Sequence, residues 1–303
     1  HAGDDAPFFL MLSWGTPHNP YDLVPERYAA LYEDAEIALR PNVPADWDAG
    51  KDLRAQAIET LRGYYAHITA LDDAVALLLE TLEASGLADD TLFVFTSDHG
   101  DMHGSQGVRR KQVPWDESIR VPLLLRYPRG LGTEGRILDT PINTPDLMPS
   151  LLGLCDLPIP STIEGRNYAA LIAGEMDEAG AMDFMPAAFL NYPVSFAMSR
   201  AQGLPAYRGV RTARYTYVCT TQGPWLLYDN MEDPYQMDNL CDDSAHTALQ
   251  ARLDQALQSW LVRLGDDFLP GQTYLERDGL DHYREVTGAW GRLETPWTVK
   301  QNT

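Results

Sequence analysis

The chain has 303 residues, 45% of them hydrophobic, which is enough for one large domain or two unequal ones. Its 23 Lys and Arg stand against 44 Asp and Glu, a formal charge of −21 that opposes the binding of phosphate backbones and sets nucleic acid aside as a partner. No apolar run approaches the roughly 18 to 20 residues of a spanning helix, so no membrane segment is expected.

Phe8 to Trp14 (FFLMLSW) is an unbroken apolar run of strand length, the pattern of a strand buried on both faces of a parallel sheet. It starts a few residues after His1, so the chain reads as the carboxy-terminal part of a longer protein. A signal peptide upstream and the compartment, periplasmic or secreted, therefore stay open. From about Asp52 to Ser85, apolar residues recur at helical spacing (Leu53, Ala57, Leu61, Tyr64, Ile68, Leu71) and Gly86 is placed to end the helix. Thr91 to Ser97 and Val121 to Tyr127 repeat the buried-strand pattern, and a helix is expected at about Asp146 to Leu154. This order is that of an α/β fold with a mostly parallel sheet flanked by helices, and ligands of such sheets collect beyond the carboxyl ends of the strands. Residues just after Trp14 and Ser97 are thus expected to share one crevice.

Beyond a Pro- and Gly-punctuated stretch, β-type runs at Tyr207 to Arg211, Tyr215 to Val218 and Trp225 to Asp229 predict a small antiparallel sheet, followed by a helix at about Ala245 to Leu264. The expected division is a catalytic α/β portion over 1–180 and a smaller carboxy-terminal α+β subdomain over 181–303. Cys155, Cys219 and Cys241 have neither CxxC spacing nor an even number, so neither a zinc site nor a disulfide framework is indicated.

Three clusters carry chemistry. TSDHGDMHGSQG (Thr96 to Gly107) ends a strand in Asp98 and His99, a carboxylate and an imidazole that can face one ion only on a turn, which Gly100 permits. Read alone it is weak evidence, and ordinary loop chemistry is the stronger reading. TPHNPYDLVP (Thr16 to Pro25) holds His18 between Pro17 and Pro20, a setting for a fixed proton donor or for a loop histidine with a structural hydrogen bond. RRKQVPWDESIRVPLLLRYP (Arg109 to Pro128) places Lys111 in a basic triplet of an otherwise acidic chain, where it can hold an oxyanion or sit in solvent.

In this order, and with the downstream YRGVRTARYTYV and LYDNMEDPYQMDNL, these segments resemble the sulfatase family of the alkaline-phosphatase-like superfamily. The resemblance implies a metal-dependent sulfuric ester hydrolase acting on a carbohydrate or small organic sulfate. Asp98 and His99 would be metal ligands, for calcium or else manganese or magnesium. Lys111 would hold the sulfate oxygens, and His18 would bind substrate and protonate the leaving oxygen. Sulfatases use a formylglycine made within a Cys/Ser-x-Pro/Ala-x-Arg motif. None of the three cysteines fits it, so the nucleophile is expected upstream of His1, in a missing amino-terminal segment that would be this chain's partner, and the chain alone is expected to be inactive. A phosphonate monoester or phosphodiester hydrolase, and a non-catalytic binding protein on the same fold, are the alternatives.

Overall fold

The computed structural model describes residues 6–45, 52–177, 187–190, 205–241 and 243–279. The chain divides into two compact units, His1–Lys111 with Arg120–Arg136, and Gln112–Ile119 with Ile137–Thr303.

The first unit is organised by helix α1 (Leu53–Ala84), whose amino terminus is capped by Asp52 accepting a hydrogen bond from the Ala55 N–H at 2.9 Å. Leu53, Ala57, Leu61, Ala66 and His67 are buried, all in its first half. Gly86, with φ +67°, follows the last turn in a conformation that favours glycine. Strands β1 (Phe93–Thr96) and β2 (Leu123–Arg126) pair with Phe93 opposite Arg126 and Thr96 opposite Leu123. This ladder is antiparallel, where the apolar runs suggested parallel neighbours. A continuous apolar strand signals burial on two faces and carries no information on strand direction.

Phe8 to Trp14 also differs from expectation. It forms no ladder among the described residues, and its side chains are exposed, Phe9 to 89% and Met11 to 75%. An apolar strand is stable only when its backbone groups and both faces are covered, and the described residues do not cover this one.

The second unit contains helix α2 (Thr144–Leu154), begun by a reciprocal capping box between Asn143 and Asp146, and a four-stranded antiparallel sheet. Its strands β3 (Ala187–Leu190), β4 (Tyr207–Arg211), β5 (Tyr215–Thr220) and β6 (Gly223–Asp229) follow one another in chain order. Helix α3 (Thr247–Leu264) packs Leu253, Leu257 and Leu261, spaced four apart on one stripe, against Val210, Tyr217, Cys219 and Leu227 of the sheet. Helix α4 (Gly271–Arg277) follows. Among the described residues no helix is long and apolar enough to cross a membrane.

Candidate active site

His18, Asp98, His99 and Lys111 all lie in the first unit, on the loop that follows the exposed apolar run and on the long loop between β1 and β2. The His18 N–H donates to the Gly15 carbonyl at 3.0 Å, closing a turn, and its ring Nδ1 lies 2.8 Å from the Asn19 carbonyl. A carbonyl only accepts, so Nδ1 carries a proton. Nε2 then presents its lone pair to the Lys111 ammonium, 2.8 Å away, although the two residues are 93 positions apart. The structure thus brings these two side chains into contact.

His99 is held in the same way. Its Nδ1 lies 2.8 Å from the Gly100 carbonyl, which leaves the Nε2 lone pair available. That Nε2 is 3.5 Å from Asp98 Oδ2, while Asp98 Oδ1 accepts the His99 N–H at 3.0 Å. The turn thus brings an oxygen and a nitrogen donor to one side, as two neighbours in a divalent cation's shell require, and the Asp98 carboxylate is 84% exposed. The pair fits one edge of such a site and no more. Calcium takes about six to eight donors, and no group of three or more His, Cys, Asp or Glu able to hold an ion forms among the described residues. The rings of His18 and His99 are 6.4 Å apart, centroid to centroid.

The approach to Lys111 is strained. His103, Gln106, Arg110 and Gln112 have φ between +43° and +70°, a region that side chains other than glycine and asparagine rarely adopt. The loop is held in this shape by main-chain bonds from Met102 N–H to the Arg110 carbonyl at 2.7 Å and from Gly104 N–H to the Val108 carbonyl at 2.9 Å. Arg109 donates to Gln56 Oε1 at 2.9 Å, which occupies one of the two other cations of the basic triplet.

Three residues beside this site were not singled out from the sequence. Tyr21 donates to Asp101 Oδ2 at 2.5 Å, and Gly63 of α1 lies where any added methyl would run into the Tyr21 carbonyl. Asp101 sits in the same motif as Asp98, and an isolated glycine within a helical pattern is itself a signal of close packing.

A family model described as Sulfatase matches residues 1–157, and one described as N-sulphoglucosamine sulphohydrolase, C-terminal, matches residues 104–262. The chain belongs to the sulfatase family. It is 43% identical over 314 residues to an ulvan-active sulfatase of Formosa agariphila, covering 99% of this chain and 58% of that protein. It is 35% identical to an endo-4-O-sulfatase of Bacteroides thetaiotaomicron over 77% of this chain and 47% of that protein. The solved phosphonate monoester hydrolase of Agrobacterium radiobacter superposes with a TM-score of 0.70 at 25% identity, covering 86% of this chain and 57% of that one. The fold is thus the α/β fold of the alkaline-phosphatase-like superfamily, and the chain spans about half the length of the curated relatives it matches, 58% and 47%.

Proposed function

We propose that the complete protein hydrolyses a sulfate ester on a carbohydrate or small organic alcohol, with His18 and Lys111 at the reacting group and Asp98 and His99 holding part of a divalent cation site. The observation that carries this reading is the meeting of Lys111 Nζ and His18 Nε2 at 2.8 Å, beside an Asp98–His99 pair whose free donor atoms face one side.

In this reading Lys111 swings from His18 to the sulfate oxygens and neutralises part of their charge. His18, once protonated at Nε2, gives that proton to the departing oxygen, while its Nδ1–H bond to Asn19 keeps the ring in place. A calcium, manganese or magnesium ion held by Asp98 and His99 would supply further positive charge against the developing negative charge. The nucleophile is assigned to a formylglycine outside these 303 residues, in an amino-terminal segment that would also cover Phe8 to Trp14. The exposure of that run supports such a partner segment. The domain division at residue 180 belongs to the same proposal.

The ulvan-active and endo-4-O-sulfatase relatives favour a sulfated polysaccharide or oligosaccharide as substrate. The likeness to a phosphonate monoester hydrolase favours a second reading, cleavage of phosphonate monoesters at the same site. Turnover of sulfated oligosaccharides and of a phenyl phosphonate ester by the purified complete protein, with each of the three metals in turn, separates them. A preference for the phosphonate would replace the first reading with the second, and turnover of neither would leave a binding protein.

A further inference from the structure

Tyr21 and Asp101 take no part in the chemistry proposed above, yet they join the two loops that carry it. Tyr21 lies just beyond His18 and Asp101 just beyond His99, and the phenol donates to Asp101 Oδ2 at 2.5 Å across 80 residues of chain. Both ends of this bond are held. Asp101 Oδ1 accepts the His103 N–H at 3.2 Å, and the side chains of Asp101 and His103 are only 15% and 10% exposed. The His103 ring packs edge-on against Tyr64 of α1, with centroids 4.5 Å apart, and lies 5.4 Å from the Tyr21 ring. The Tyr21 main chain rests on Gly63, so the tyrosine is seated on the helix from below. Burial, and secondarily Asp101, push the Tyr21 phenol well above its usual ionisation range, which keeps it the donor in neutral solution.

Among the described residues, two hydrogen bonds tie residues 15–25 to the loop of Asp98, His99 and Lys111, and a third, from the Gln106 N–H to the Asn42 carbonyl at 2.8 Å, joins that loop farther along the chain. Of the first two, one is the bond from Lys111 to His18, which must break when Lys111 turns to a sulfate oxygen. The other is the bond from Tyr21 to Asp101, which persists. We infer that the Tyr21–Asp101 hydrogen bond is a clasp that fixes His18 relative to Asp98 and His99 during turnover, making Tyr21 and Asp101 positioning residues for protonation of the leaving group. This rests on the role given to His18 above.

The test uses the complete protein with Tyr21→Phe, Asp101→Ala and Asp101→Asn, assayed on an unactivated sugar sulfate and on nitrophenyl sulfate, together with a crystal structure of the Tyr21→Phe variant. Misplacing a reacting group by about 1 Å can lower a rate by about 100-fold. Tyr21→Phe and Asp101→Ala are therefore expected to lower kcat on the sugar sulfate by about 10- to 100-fold, with KM and the nitrophenyl rate far less affected. Asp101→Asn, which keeps an oxygen for Tyr21, should recover most of the rate. In the crystal the rings of His18 and His99 should depart from their 6.4 Å separation by on the order of 1 Å. Rings that stay in place would overturn the clasp, and so would equal losses on both substrates accompanied by a fall in thermal midpoint, the mark of a merely structural bond. If Asp101→Ala does not fold, Tyr21→Phe carries the test alone. If the unsubstituted protein cleaves neither ester, the functional reading fails, while the ring separation still decides the clasp.

Discussion

Two loops of the first unit leave charged and ring groups facing one another in the open, whereas two ion pairs of the second unit are largely buried. In the second unit Arg211 donates Nε and Nη2 to the two oxygens of Asp116, each at 3.0 Å, with both side chains largely buried. Arg208 donates to Asp266 at 2.6 Å, and Tyr274 donates to the same carboxylate at 2.5 Å. Tyr207 is buried and donates to the Gln112 carbonyl at 3.2 Å. In the first unit Asp98 is open to solvent, and His18 and Lys111 meet on exposed loops. Paired, buried charges hold a structure together, while exposed ones remain available to a substrate. Substitutions at the open loop groups should therefore act on turnover, and those at the buried pairs on folding.

The largest effect expected is at His18. In the complete protein His18→Ala should lower the rate on an unactivated sulfate by about 10² to 10⁴, the usual worth of general-acid assistance, and act much less on nitrophenyl sulfate, whose leaving group needs no proton. Equal losses on both substrates would reduce His18 to a structural residue. Asp98→Ala should lower metal content and turnover together, and Lys111→Ala turnover alone. Metal analysis of the two purified variants checks this, and matching metal loss would remove Lys111 from the sulfate.

On the other side of the comparison, Arg211→Ala strands the Asp116 carboxylate in a largely buried place, and breaking a pair of this kind costs about 3 to 5 kcal/mol. Denaturant unfolding should register that loss, with kcat of the molecules that remain folded unchanged. A direct effect of Arg211→Ala on kcat would break the comparison. Gly63→Ala is the case that crosses it: a methyl there displaces the Tyr21 carbonyl, so this helix substitution in the first unit should lower both thermal midpoint and turnover.

The smallest effects expected are in pH response. Burial lowers the pKa of His67 and of His103, the latter against the opposing charge of Asp101, so both are neutral in the folded first unit. The unfolded chain takes up these protons near pH 6.5, so their contribution is fully present above that pH and is lost as pH falls towards the folded values. In the second unit, burial works to raise the pKa of Asp266, but hydrogen bonds from Arg208, Tyr274 and the Phe268 N–H outweigh it and hold the carboxyl below its usual range. Its contribution is present above about pH 3.9 and disappears as pH falls through the lower folded value. Hydrogen exchange on stepwise acidification should show the first unit loosening before the second, and the reverse order would contradict this assignment.

Much of this was legible in the sequence. The helical spacing from Asp52 to Ser85 became α1 at Leu53–Ala84, and the β-type runs beyond Tyr207 became β4, β5 and β6. Each depends on local spacing or residue type, which a chain displays in its own residues. The meeting of His18 with Lys111 was reachable only through motif order, because nothing local encodes proximity across 93 positions. The direction of the β1–β2 ladder and the exposure of Phe8 to Trp14 were not legible, since both depend on which neighbour covers an apolar strand. Tyr21 and Asp101 escaped notice because a phenol and a carboxylate acquire meaning only once their loops are seen to touch.

The imidazole protons of His18 and His99 are both anchored on the peptide carbonyl of the very next residue, Asn19 in one case and Gly100 in the other. Every amino acid carries that carbonyl. The tautomer of each ring is therefore insulated from the side-chain identity of its neighbour, and sequence drift at position 19 or 100 can alter the loop's shape without touching the nitrogen that bears the hydrogen. Replacing Asn19 with serine or alanine should leave the imidazole nitrogen resonances of His18 in the same protonation pattern, a robustness that a side-chain acceptor such as aspartate would not give.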